Sequence, residues 1–198
     1  MYTKLRTYIK ILLICSFSIS AKIVIAQIEI PNASLEDQAS DATAPQGWYP
    51  CEPNTTPDIL PGFWGVYLPA QSGETYVGLI SRSDGSFESI STRTKEVLEA
   101  NKCYKMSLHT AHSRTYAGFN KTLKLRIYAA TNKCGKDQLI YESERLSHQT
   151  WQELEFEFRL DKECHYLLIE AFDKEQKRPY KGNILIDNIS LIYKCDRA

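Results

Sequence analysis

Residues Trp151 to Leu160 read WQELEFEFRL. Trp151, Leu154, Phe156 and Phe158 interleave with Glu153, Glu155 and Glu157, and a period of two puts Leu154, Phe156 and Phe158 on one face of a β-strand and the acids on the other. On either side lie runs of the same kind. Tyr104 to His109 alternates, and Leu123 to Tyr128 sets Leu123, Leu125 and Ile127 against Lys124, Arg126 and Tyr128. Tyr166 to Phe172 and Ile184 to Tyr193 are more uniformly apolar, and Leu139 to Arg145 is a weaker strand. Short strands at this spacing predict an all-β antiparallel sandwich. Arg93 to Ala100 reads either as a helical turn or two, or as a strand ending in a tight turn at Glu99-Ala100-Asn101.

The N-terminal stretch has a different logic. Lys4, Arg6 and Lys10 precede an apolar run from Ile11 to Ile25, and Val24-Ile25-Ala26 offers a signal-peptidase site. This predicts a signal peptide over 1–26, cleaved before Gln27, and a single mature domain over 27–198. A retained membrane anchor fits less well, because a span wants about 20 apolar residues and Lys22 interrupts this run. A lipoprotein signal would want a small residue where Ile14 precedes Cys15. The export signal predicts a periplasmic, surface or extracellular location, with no membrane span after cleavage.

The whole chain of 198 residues balances 24 Lys and Arg against 24 Asp and Glu. Loss of Lys4, Arg6, Lys10 and Lys22 leaves 20 against 24, a net charge near −4. No basic face remains, which argues against a nucleic-acid partner. Five cysteines survive cleavage: Cys51, Cys103, Cys134, Cys164 and Cys195. Exported cysteines pair, and an odd number leaves one free or bridged to another chain. Their wide spacing excludes a zinc knuckle.

From Ser40 to Pro69 the chain is crowded with Pro and Gly, which predicts a long loop over the sheet, pinned by Trp48, Phe63, Trp64 and Tyr67. Trp48 and Trp151 read as core residues.

Five motifs occur in order: Ile30-Pro31-Asn32-Ala33-Ser34-Leu35-Glu36, Pro45-Gln46-Gly47-Trp48, Gly73 to Leu79 (GETYVGL), Leu98 to Tyr104 (LEANKCY), and Gly182 to Leu191 (GNILIDNISL). This order resembles the galactose-binding-like jelly rolls, which include many carbohydrate-binding modules, and in particular their exported, surface-associated versions in Bacteroidota. Leu35 stands where that pattern usually has Phe. The resemblance implies a jelly roll with Cys103, Cys134, Cys164 and Cys195 at one end, several pairings being open. The opposite end would carry the loops 112–121 and 173–183.

The resemblance also implies a structural calcium held by Glu36 and Asp187, although both carboxylates could equally accept hydrogen bonds at strand ends. For a glycan ligand, Tyr116, Phe119 and Tyr180 would supply stacking rings, with Arg114 and Arg178 as donors. Arg126, Tyr128, His109 and Glu170 on a sheet face form a second option, and Trp64 with Tyr67 a third. Catalysis is disfavoured. Glu153, Glu155 and Glu157 read as a solvated strand face, His109 and His112 point to opposite faces, and no nucleophile, zinc-protease or phosphate-loop motif occurs. The expected function is therefore a non-catalytic module binding a glycan. The alternative is a structural or adhesive protein bound to a cell-envelope partner, with the odd cysteine as a bridge.

Overall fold

A computed structural model describes residues 27–53, 56–173 and 180–195. The proposed signal peptide and Arg178 lie outside the described residues. No helix occurs among the described residues, which form thirteen strands: β1 (Gln27–Ile28), β2 (Tyr49–Pro50), β3 (Asp58–Leu60), β4 (Tyr76–Ser81), β5 (Ser89–Leu98), β6 (Cys103–Ala111), β7 (Lys121–Thr122), β8 (Lys124–Ala130), β9 (Gln138–Glu142), β10 (Gln152–Arg159), β11 (Cys164–Phe172), β12 (Gly182–Asp187) and β13 (Ile192–Lys194).

Two sheets face each other. In the first, β10 pairs along one edge of β6, while β12 and β13 share the other edge; β4 and β3 continue beyond β12, and β1 beyond β13. The second runs β2-β5-β11-β8-β9. The expected antiparallel jelly-roll sandwich is what forms.

Alternation decides which side chains meet between the sheets. Met106, Leu108, Phe156 and Phe158 from the first sheet pack against Leu125, Ile127, Leu167 and Ile169 from the second. The segment at 93–100 resolves as a strand: β5 runs to Leu98, and Asn101 at φ 59° makes the turn into β6. The run Ile184 to Tyr193 breaks into β12 and β13 at Asn188, whose φ is 47°.

A second apolar layer lies on the outer face of the first sheet. On β4, Tyr76 and Ile80 point away from the main core, as do Leu60 of β3, Ala111 of β6 and Leu185 of β12. Segment 61–70 lies over them, and Val66, Phe63, Leu68, Tyr116, Phe119 and Trp151 complete this layer. The long loop is thus ordered, but its anchors differ from those expected. Trp48 is buried in the main core and Phe63 packs on the second, whereas Trp64 and Tyr67 project into solvent. Trp151 is only half-buried; its edge meets Tyr76 at 5.1 Å and its indole N–H donates to the Pro69 carbonyl at 2.8 Å.

Disulfides join Cys51 to Cys134 and Cys103 to Cys195. Cys164 is free and wholly buried in the main core. It is therefore not available to bridge another chain.

Candidate functional site

The loop residues expected to bind ligand separate into an anchor and a platform. Tyr116 is 1% exposed, not a surface ring. Its hydroxyl donates to Asp58, a buried carboxylate that also accepts the Ala42 N–H at 2.8 Å. Burial pushes the Asp58 carboxyl above its ordinary range, opposed by hydrogen bonds from Tyr116, Ala42 and the Trp64 side chain. The fit is tight: a Cβ at Gly78 would lie 2.7 Å from the Tyr116 hydroxyl. Phe119 is half-buried in the same layer, with the Lys181 ammonium 5.2 Å from its ring. Arg114 faces Gln149; with that amide turned so its oxygen accepts, the guanidinium makes two bonds of 3.0 Å.

Above this anchor the loop is locked. Gly62 N–H donates to Val66 at 2.9 Å, Ala117 N–H to the Trp64 carbonyl at 3.0 Å, and the Thr115 hydroxyl to the Gly65 carbonyl at 2.6 Å. Trp64 is 50% exposed and Tyr67 73% exposed. Trp64 also has φ 56°, a left-handed conformation that a bulky residue adopts only when its surroundings impose it.

Arg126 and Tyr128 are brought together on the outer face of the second sheet, beside Glu170 and Phe172. These groups satisfy one another. Arg126 lies 3.3 Å over the Phe172 ring and pairs with Glu142 at 2.6 Å. Lys136 bridges Glu170 at 2.6 Å and Glu52 at 2.7 Å. The Cys51–Cys134 bridge ties segment 131–137 back toward β2, and Ser89, Ser91 and Leu168 beneath are fully buried although they point outward. That face is strapped shut over much of its area. Tyr180 is likewise engaged, with Lys121 4.5 Å and Arg145 5.5 Å from its ring. His109 lies on the other sheet, near Asn188. His112, past the strand end, is buried and hydrogen-bonds the Asn120 carbonyl at 3.0 Å.

Glu36 and Asp187 converge on the segment 71–75. Asp187 accepts N–H bonds from Gln71 at 2.7 Å, Ser72 at 3.0 Å and Asn188 at 2.6 Å. Glu36 Oε2 accepts from Glu74 at 3.0 Å and Thr75 at 3.2 Å, while its buried Oε1 has no partner. A Cβ at Gly73 would fall 2.0 Å from that orphaned oxygen, so glycine alone leaves it room. Burial pushes Asp187 up to about 6; the three N–H bonds oppose this, and the Glu36 charge adds to it.

The acids Glu155 and Glu157 border an open groove of about 1080 Å³ on the first sheet's outer face, lined also by Lys105, Ser107 and Tyr193. The sequence marked these acids only as a solvated face. Cys103, Cys195 and Glu157 cluster at its end, but both sulfurs are spent in a disulfide and offer no thiolate to a metal.

No family model matches the sequence, and no curated protein matches it. Solved structures do resemble the fold. A cyclase from Fischerella sp. TAU aligns at TM-score 0.59 and 14% identity, over 87% of this chain and 98% of its own. The CBM22-1 xylan-binding domain from Paenibacillus barcinonensis aligns at 0.50 and 17% identity, over 77% and 88%. The K3 cleaved adhesin domain of Lys-gingipain from Porphyromonas gingivalis aligns at 0.52 and 12%, over 85% and 99%. At these identities what is shared is the jelly-roll β-sandwich itself, a fold that carries cyclase, xylan-binding and adhesin domains alike.

Proposed function

We propose that this protein is an exported, surface-associated, non-catalytic module that binds a glycan through Trp64 and Tyr67. The observation that carries this reading is the pair of exposed aromatic rings on a loop that is otherwise hydrogen-bonded and seated on its own apolar layer. A sugar presents an apolar C–H face, and a rigid ring meets it at small entropic cost. Stacking of rings on planar ligands is worth about 1–3 kcal/mol each, roughly a fivefold to hundredfold change in affinity. The xylan-binding and adhesin neighbours support a binding role, and the two disulfides suit an oxidising, exported setting.

The carboxylates support the non-catalytic part. Among the described residues, the carboxyls whose protonation is pushed upward, as a catalytic acid requires, are Asp58, Glu88 and Asp187. All three are buried, accept internal hydrogen bonds, and lie outside the groove lining. A calcium ion would sit at the orphaned Glu36 oxygen, with Asp187 as its second carboxylate and loop oxygens completing the shell. Its role is to neutralise the buried Asp187 and the half-buried Glu36 and to brace segment 71–75; it supplies no chemistry to a ligand.

The test is a glycan array probed with the purified protein and with a Trp64→Ala/Tyr67→Ala double variant of unchanged circular dichroism. Retention by the native protein and at least a tenfold loss in the variant is the expected result. A silent array, or binding indifferent to both rings, would overturn the assignment.

A further inference from the structure

The aromatic platform and the open groove lie on the same side of the molecule. On β6, Ala111, His109, Ser107, Lys105 and Cys103 share one face by alternation. Ala111 supports the layer under the aromatic loop, while Ser107 and Lys105 line the groove. β10 continues that face, since Glu155 pairs with Ser107 and Glu157 with Lys105. The loop's far end comes down where the groove begins. Ser72 and Gln71 N–H bond Asp187, whose register partner is His109, and the Asn188 amide bridges Gln71 and His109. From Ala111 to Lys105 the strand covers six steps, roughly 20 Å at the antiparallel rise.

The groove's chemistry narrows what could lie in it. Tyr193 and Glu157 offer a hydroxyl and a carboxylate along it, beside Glu155, which shares its charge with Lys105, the Ser107 hydroxyl, and Ser190, whose hydroxyl accepts from the Ser107 N–H and donates to the Leu191 carbonyl. Of its four cations, Lys105 is paired with Glu155 at 2.8 Å, Lys194 with Glu99, whose carboxylate also feels the Lys102 charge, and Arg159 donates to the Asn101 carbonyl at 2.8 Å. Cations so engaged do not favour a polyanion, whereas alternating acceptors and donors suit a ligand of many neutral hydroxyls. The outer face of the opposite sheet is strapped over much of its area by Cys51–Cys134 and Lys136.

We infer that the ligand is an extended, uncharged polysaccharide chain that stacks on Trp64 and Tyr67 and continues across the loop's foot into the groove between β10, β6 and β13. This rests on the glycan-binding reading and adds the ligand's length and charge. A terminal sugar can occupy one end only; a chain engages both, and each engaged unit adds to the affinity.

The experiment titrates the protein calorimetrically with neutral gluco- and xylo-oligosaccharides from disaccharide to octasaccharide, with polygalacturonate as the anionic control. Affinity should climb with length until the chain spans roughly 20 Å, then level off. A Glu155→Ala/Glu157→Ala variant, altered only at exposed positions, should lose about tenfold for the longest chains and nothing for the disaccharide. Trp64→Ala should weaken every ligand. If length has no effect while Trp64 still matters, the groove assignment fails and the platform stands. If polygalacturonate binds more tightly than the neutral chains, the inferred ligand class is wrong. If no neutral glycan binds at any length, both readings fall together.

Discussion

Glu88 is wholly buried in a turn between the sheets. Its Oε2 accepts the Ile80 N–H at 2.9 Å, and its Oε1 faces Thr56 at 3.3 Å and the Arg82 guanidinium. Burial pushes its carboxyl from 4.5 up to about 7; the Ile80 N–H and the Arg82 charge oppose this, and Asp58 adds to it. The folded protein therefore holds this proton more tightly than the unfolded chain. The resulting stability is fully present below about pH 4.5 and lost as the pH rises through about 7. From about pH 8 to about pH 5 the linkage relation gives a gain of roughly 2–3 kcal/mol from this one group. Asp187, pushed up to about 6, adds about 1 kcal/mol in the same direction. His112 works the other way, because burial lowers its pKa and the unfolded chain binds that proton first. Glu88→Gln isolates the effect, since glutamine mimics the protonated acid at every pH. With a urea slope of about 2 kcal/mol/M, the variant should gain about 1 M in midpoint relative to the native protein between about pH 5 and about pH 8. Urea denaturation followed by tryptophan fluorescence reads this directly. Midpoints that run parallel across that range would show that Glu88 titrates normally, and the burial argument would be wrong.

Three other perturbations probe the remaining layers. Gly78→Ala would drive a methyl to within 2.7 Å of the Tyr116 hydroxyl and 2.8 Å of Leu60 Cδ1; overpacking of this kind costs about 1–3 kcal/mol, measurable as a lower melting temperature. Replacing Cys51 and Cys134 by serine releases a loop of 83 residues, which chain entropy sets at about 4–5 kcal/mol. Because that strap lies on the sheet opposite the platform, glycan retention should persist below the new melting point. Calcium at about a hundred times its dissociation constant should stabilise the fold by roughly 3 kcal/mol; Glu36→Gln should abolish this increment, and a native melting curve unmoved by chelator would remove the ion from the account.

The sandwich was legible because alternation in WQELEFEFRL and LKLRIY leaves one face wet, and the structure pairs those faces as the pattern requires. The second apolar layer was not, although a signal was present. In β4 the run Tyr76-Val77-Gly78-Leu79-Ile80 does not alternate, and every residue is buried. An antiparallel strand that is apolar on both sides must be covered on both sides. The Pro- and Gly-rich loop was the obvious cover. Tyr116 was misassigned for a related reason. A tyrosine in a loop reads as exposed unless a buried acceptor is known, and its acceptor, Asp58, sits 58 residues away. The Cys103–Cys195 bridge lies at the end the resemblance implied, near Cys164, but Cys134 leaves that end and joins Cys51, whose N–H bonds the Ser89 carbonyl at the far end of β5; that partnership depends on how segment 131–137 folds back, and no local pattern encodes it.

The two outer faces of this sandwich are finished in opposite ways, and that asymmetry bears on function. On the second sheet, Ser89, Ser91, Leu168 and Glu170 point outward yet are closed over by a disulfide-tied strap, and the flanking charges Arg126, Lys136, Glu142 and Glu52 neutralise one another. A ligand there would have to break ion pairs before it formed any contact of its own. On the first sheet, the cover stops at the Gln71–Asn188 contact, and beyond it the sheet stays open. The cover itself spends a strained backbone at Trp64 and a buried Asp58–Tyr116 bond to hold a loop whose two largest rings face water. Apart from the Trp64 side chain's bond to Asp58, folding gains nothing from exposing those rings, since burying them would add apolar contact. Their exposure is better explained by something that lands on them, and the open sheet beside them is where an extended partner would continue.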